Sequence, residues 1–209
     1  MMKNIENFIG KLSSVECTDT YTNLYHGESL ESEIRRHNLM LYLNKIKSLN
    51  SKVLIVGEAP GHRGCRLTGI PFTCEKIMVD LPFFNSEKYK FINKKDQLEF
   101  ENSSNIVWTH IKKIKPNEFP LLWNIYPFHP HKSNDTRSNR TPNKQEIEIG
   151  FGYLNELIEL FNIKKIISVG RKAESKIKDL ALDKEFIFHP SYGRNLIFKE
   201  GIDRIFTLS

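Results

Sequence analysis

The stretch Val53–Phe72 reads VLIVGEAPGHRGCRLTGIPF: an apolar run that ends in Gly57, Glu58, Ala59 and Pro60, with Gly61 and Gly64 following among Arg63 and Arg66. Near-continuous apolar character, closed by turn residues, predicts a strand buried on both faces, as in a parallel sheet. Three later segments read the same way: Leu121–Tyr126, Lys165–Val169 and Glu185–Phe188. Helical patterns lie between the last three, over about Asn143–Phe161 and Arg171–Leu180. From Ser29 to Leu49, apolar residues recur at roughly helical spacing, so an amphipathic helix leads into the first strand. Alternating strands and helices imply right-handed crossovers and an open, mainly parallel four-stranded sheet between helices.

Residues Asp80–Lys115 are more polar, with a helix expected near Ile106–Ile114. Asn134–Lys144, NDTRSNRTPNK, is expected to be a polar loop with room to move. No internal repeat or long linker divides the 209 residues. The reading is one domain over 1–209, with an N-terminal helical region (1–50) and an α/β core (51–209).

Charge and cysteine content narrow the classes. An excess of Lys and Arg gives a formal charge of +6, which suits a polyanionic partner without requiring one. Cys17, Cys65 and Cys74 form no C-x-x-C pair and cannot alone hold an iron-sulfur cluster or a structural zinc. His129 and His131, taken with Cys65 or Cys74, make no clear four-ligand pattern either, so no metal or cofactor is expected; contact with DNA or a place in the pocket lining suits these histidines better. Neither a signal-peptide core nor a run of about 20 apolar residues is present. The expectation is a cytoplasmic protein with no membrane association, working as a monomer.

In a parallel sheet of this kind the ligand site lies beyond the carboxyl ends of the strands. Three polar clusters should therefore meet there: GEAPGHRGCRLTGIPFTCE after the first strand, NIYPFHPH after the second and HPSYGRN after the fourth. The glycine loop fails the usual phosphate tests. No Gly-Lys-Ser/Thr follows the strand, and Ala59 stands where the dinucleotide fingerprint needs its second glycine. The G-x-S-x-G elbow of serine hydrolases is absent too.

The same three clusters resemble the motifs of the uracil-DNA glycosylase superfamily, in order, across roughly Val53–Asn195. GEAPG at 57–61 is similar to its first motif, and TGIPFT at 68–73 to the segment carrying a base-stacking phenylalanine. LLWNIYPFHP at 121–130 is similar to the strand that delivers a pyrimidine-reading asparagine. HPSYG at 189–193 resembles the family's histidine-bearing minor-groove loop. The resemblance implies a three-layer α/β/α sandwich and a monofunctional glycosylase that needs no cofactor. It further implies that such an enzyme flips a base out of DNA, hydrolyses its N-glycosidic bond and leaves an abasic site.

On that reading Phe72 is the platform under the flipped base, and Asn124 reads its edge through an amide with both a donor and an acceptor. His189 stabilises the negative charge on the departing base, by the logic of an oxyanion hole. Glu58 is the first candidate for the acidic catalytic role, with Glu75 as the alternative. Gly57, Ala59 and Gly61 line the base pocket, and Ala59 replaces the polar residue often found at its position. Ser191 and its backbone grip phosphate, and Tyr192 or Arg194 wedges into the gap in the stack. His62, Arg63, Arg66 and Lys132, together with Arg137 and Arg140, are expected to form a track for DNA phosphates.

Gly61 stands where strict uracil enzymes of the resembled family carry a tyrosine that blocks the pyrimidine C5. Glycine there implies room for bulky C5 substituents, including the hypermodified cytosines of phage DNA. Repair of uracil and defence against such phage are thus both open. A catalytically weak member that only binds DNA or RNA is the alternative, suggested by Ala59.

Overall fold

The computed structural model describes residues 4–84, 87–178, 180–191 and 193–206. The main sheet has four parallel strands, β2 (Val53–Gly57), β3 (Leu121–Asn124), β5 (Lys165–Val169) and β6 (Asp183–Ile187), in the order β3-β2-β5-β6. A small antiparallel pair, β1 (Tyr21–Thr22) with β4 (His129–Pro130), lies apart from it. The register sets Gly57 beside Asn124 and Val169 beside Ile187, so the carboxyl ends of all four strands form one edge. β2 has β3 on one side and β5 on the other. The chain therefore switches direction at the end of β2, the place where open α/β sheets bind ligands.

Strands β2, β3 and β5 are buried nearly throughout, which is why they read as unbroken apolar runs. β6 begins two residues before its apolar signal because Asp183 and Lys184 sit exposed on the edge strand. Helices flank the sheet as the α/β/α pattern predicts. Helix α1 (Ile5–Ser13) packs on α2 (Leu30–Ser48), and α6 (Lys144–Phe161) packs on β3. Helix α7 (Arg171–Ile177) packs on β5, and α8 (Asn195–Ile205) on β6. Three shorter helices, α3 (Cys65–Thr68), α4 (Glu75–Asp80) and α5 (Asn102–Ile111), fill the long connection from β2 to β3. Among the described residues no helix is long and apolar enough to cross a membrane.

Local chemistry sets the helix ends. Ser29 caps α2 by accepting from the Ser32 amide, with Glu31 and Glu33 in the first turn and Lys45 and Lys47 in the last. Asn143 and Glu146 form a reciprocal capping box at the start of α6. Gly150 in α6 lies so close to the Ile125 carbonyl that a β-carbon has no space, which seats this helix directly over the end of β3.

Candidate active site

A cavity of about 620 Å³ opens at the carboxyl ends of the strands. Its walls come from the β2 loop (Glu58, Ala59, Pro60, Gly61), from Asn124 at the end of β3, and from His189, Ser191 and Arg194 after β6. Phe72 and Cys65 complete the apolar part. All three polar clusters that follow β2, β3 and β6 thus reach one cavity.

Phe72 sits at φ 55°, a left-handed conformation rare for a bulky residue. Its carbonyl accepts from the indole Nε1 of buried Trp108 at 3.1 Å, and the same N–H meets Thr73 Oγ1 at 3.1 Å. Strain of this kind costs about 1–3 kcal/mol and persists only where the surroundings enforce it. Gly57 lies directly behind the ring. A β-carbon there would overlap Phe72 Cζ and stand 2.9 Å from Asn124 Oδ1. Gly57 therefore acts through absence of a side chain, letting the Phe72 ring and the Asn124 amide close on each other.

The Asn124 side chain is buried, lines the cavity, and has no hydrogen-bond partner for its amide among the described residues. Its amide atoms are not among the side-chain atoms closed off from solvent, so they are open to the cavity.

His189 has a defined tautomer. The Ser191 backbone N–H donates to its Nδ1 at 3.2 Å, with Ser191 Oγ at 2.8 Å from the same nitrogen. A backbone N–H can only donate, so Nδ1 is the acceptor and the proton of the neutral ring rests on Nε2. Burial lowers the pKa of His189 below its ordinary value. The result is a neutral N–H donor at the cavity wall.

The Glu58 side chain is 36% exposed, and its carboxylate stands 3.8 Å from Lys172 Nζ, which itself donates to Thr141 Oγ1 at 2.8 Å. Solvent reaches this acid. Arg171, Lys172 and Arg194 are exposed cations at the cavity wall, Arg194 lying over the Phe188 ring at 5.3 Å. Arg171 and Lys172 follow β5, the one strand end whose loop the sequence motifs did not single out.

Several expected site residues take other places. Glu75 is buried away from the cavity. Its Oε1 accepts from the amides of Ile92 and Asn93, and its Oε2 from Asn93 Nδ2 and the Glu99 amide. The carboxylate is thus committed to holding the 92–99 loop and is not part of the cavity lining. Lys132 is exposed on a turn closed by its bridge to Asp135 and lies off the cavity wall. Arg66 directs its Nε to the His62 carbonyl at 3.0 Å, while Arg63 extends outward, 3.9 Å from Glu99. The His62 amide donates to Asn139 Oδ1, and its Nδ1 is enclosed without a partner. Tyr192 lies outside the described residues.

The polar loop 134–144 is pinned rather than loose. All five N–H groups of Arg140 are used: Nε on the His131 carbonyl, Nη1 on the Thr141 carbonyl and Glu146, Nη2 on the Thr20 carbonyl and Glu146. Arg140 borders the cavity, yet it has no donor left for a phosphate. His129 turns inward between the carbonyls of Pro60 and Thr136, at 2.8 and 3.0 Å, and ties the glycine loop to the 134–144 loop. His131 contacts the Lys132 carbonyl and the Thr22 hydroxyl. Both histidines thus brace the wall of the site from behind.

The space beside Gly61 is not empty. Glu101, at the start of α5, places Oε1 where a side chain at position 61 would go and Oε2 where one at position 64 would go. Nothing in the local sequence around Glu101 marks it as part of the site. It reaches the cavity only because the β2–β3 connection folds back over the glycine loop.

Comparison with known proteins accords with this architecture. No curated protein matches the chain. The crystal structure of wild-type SMUG2 from Pedobacter heparinus is similar in fold, at 17% identity and a TM-score of 0.68, covering 98% of this chain and 97% of that one. The family model described as the uracil DNA glycosylase superfamily matches residues 44–203, a span that contains the whole sheet and every wall of the cavity. With the parallel sheet, the glycine loop, the strand-end asparagine and the histidine loop all inside that match, the chain belongs to the uracil-DNA glycosylase superfamily.

Proposed function

We propose that the protein is a monofunctional DNA glycosylase that draws a uracil or a C5-modified pyrimidine out of DNA and hydrolyses its N-glycosidic bond. The observation that carries this reading is the cavity-facing Asn124 amide, without a protein partner, sharing one cavity with the neutral Nε2–H donor of His189. A pyrimidine needs such a pair: an amide for N3 and the 4-position, and a donor for O2.

The roles follow from charge. When the bond from C1′ to N1 breaks, the base leaves with negative charge spread onto O2, and the sugar becomes positive. His189 Nε2–H donates to O2 and lowers the energy of that anion. Glu58 lies at the solvent-reached side of the cavity, where its carboxylate orients a water and offsets the positive sugar. The water's oxygen bonds to C1′ and its proton passes to the departing base or solvent. Phe72 supplies the stacking face, worth about 1–3 kcal/mol. Arg171, Lys172 and Arg194 hold the flanking phosphates by charge.

Two settings fit this chemistry: base-excision repair of uracil, and defence against phage whose DNA carries hypermodified cytosine. Incubation with duplexes containing uracil, 5-hydroxymethylcytosine or glucosylated 5-hydroxymethylcytosine separates them. Alkali-labile sites confined to uracil exclude the defence setting. Ala59 favours a second reading, binding of DNA or RNA without excision, since its methyl group cannot orient water. Tight binding with no base released from any duplex would select that reading.

A further inference from the structure

A second opening lies at the other end of the sheet. It is a groove of about 360 Å³ between the end of α2, the turn after α4 and the end of α5, bordered by Leu49, Leu81, Phe83, Ile114 and Phe119. Leu49 stands shortly before β2 and Phe119 shortly before β3, so the groove is at the amino ends of the strands, opposite the cavity that holds Asn124 and His189. Its cations are Lys45 and Lys112, and Lys115 follows Ile114 as an exposed neighbour. Lys45 Nζ donates to the Phe83 carbonyl and lies 4.3 Å from the centre of the Phe83 ring, and partial burial lowers its pKa. Among the described residues none of these three lysines has a carboxylate partner, whereas Lys11, Lys165, Lys176 and Lys199 each pair with one. Asp80 and Glu118, the acids next to the groove in sequence, are not part of its wall.

An apolar floor beside a half-buried ammonium that lacks an anion suits one kind of partner. Apolar side chains would cover Leu49, Leu81 and Ile114, and carboxylates would meet Lys45 and Lys112. We propose that this groove docks an acidic peptide segment of another protein, with a leucine, isoleucine or aromatic side chain on the floor and flanking Asp or Glu on the lysines. Nucleic acid suits it poorly. Phe83 is stacked on Phe119 at 4.9 Å and 17° and has the Lys45 ammonium over its ring, so its faces are already occupied and a base finds no platform there. Because groove and cavity open at opposite edges of the sheet, the partner can stay attached while the cavity is on DNA. The groove thus tethers the protein without taking anything from the cavity.

The test starts from the full-length protein and a displayed library of random peptides. Enriched sequences should carry Asp or Glu beside a large apolar residue, and the strongest of them, made as a fluorescent peptide, should bind more weakly as salt rises. Lys112→Glu, a change at an exposed position, should lower its affinity by about tenfold or more. Lys45→Met, which keeps the apolar stem, should lower it as well. Base release by Lys112→Glu should match the wild type, and a uracil-containing duplex should not displace the peptide. No enrichment, enrichment of neutral or basic peptides, or an affinity unchanged in Lys112→Glu overturns the assignment. So does displacement by the duplex, which would make the groove a nucleic-acid surface. Self-association of the wild-type chain that Lys112→Glu abolishes overturns it too, because the occupant is then a second copy. Lys112→Glu decides even where Lys45→Met fails to fold. A protein that releases no base from any duplex yet binds the peptide through Lys112 would defeat the excision reading and leave this assignment standing.

Discussion

Replacing Asn124 with leucine should separate function from stability. The amide faces the cavity without a protein partner, and its atoms are not closed off from solvent in the free protein. No protein hydrogen bond is lost when leucine, of nearly the same volume, replaces it, so the fold should stay within about 1 kcal/mol of the wild type. For a chain of this size that is a change in melting temperature of at most about 2–4 °C. Excision should fall much further. Two hydrogen bonds to the base, at about 1.5 kcal/mol each, are lost, which lowers kcat/KM by about 150-fold. Thermal unfolding without DNA and single-turnover excision, run on the same preparation, give both numbers. An Asn124→Leu variant that is less stable than the wild type by more than about 2 kcal/mol would mean that the amide holds the fold together. Excision within about fivefold of wild type would mean that it does not read the base.

Other variants sort the remaining residues. Glu75→Gln leaves four donors facing a weaker acceptor and should destabilise the fold by about 2–4 kcal/mol in denaturant unfolding; a catalytic loss at undiminished stability would return Glu75 to the site. Arg140→Ala should weaken the fold but leave the salt dependence of DNA binding unchanged. Arg194→Ala should reduce that salt slope by about one; the opposite pattern would make Arg140 the phosphate ligand. His189 and His129 both have pKa values lowered by burial. Below about pH 6.5 the unfolded chain then takes up these protons before the folded one, so stability is full above that pH and falls as pH drops through the window down to the folded values. The acid limb of excision should likewise lie below about 6.5, and a limb centred above it would show that His189 does not act as a neutral donor.

The residues legible in advance are those whose place on the cavity wall follows from the strand they end. Asn124 interrupts an apolar run, and His189 and Ser191 close the last strand; both positions are set by parallel pairing, which brings strand ends to one edge. Strand β2 is legible for the same reason, being buried on both faces. Helix α8 escapes a pattern reading because its first turn, with Arg194, Leu196 and Ile197, is exposed and apolar at once. Arg171 and Lys172 are within reach of the strand-edge rule once it is applied to the end of β5. Glu75 and Glu101 are not. Both are glutamates in the β2–β3 connection, and only its path decides that one carboxylate is consumed by backbone amides while the other fills the space beside Gly61. Local sequence carries no record of that path.

Base release is the most direct test of the central claim. The purified protein is incubated with a duplex containing a single uracil and with one containing a single 5-hydroxymethylcytosine, and the free base is measured by mass spectrometry alongside alkali cleavage of the strand. The account predicts a released pyrimidine base and a matching abasic site from at least one duplex, both reduced by at least about a hundredfold in His189→Ala. Duplexes that stay intact while the protein binds them, or release undiminished in His189→Ala, would contradict it.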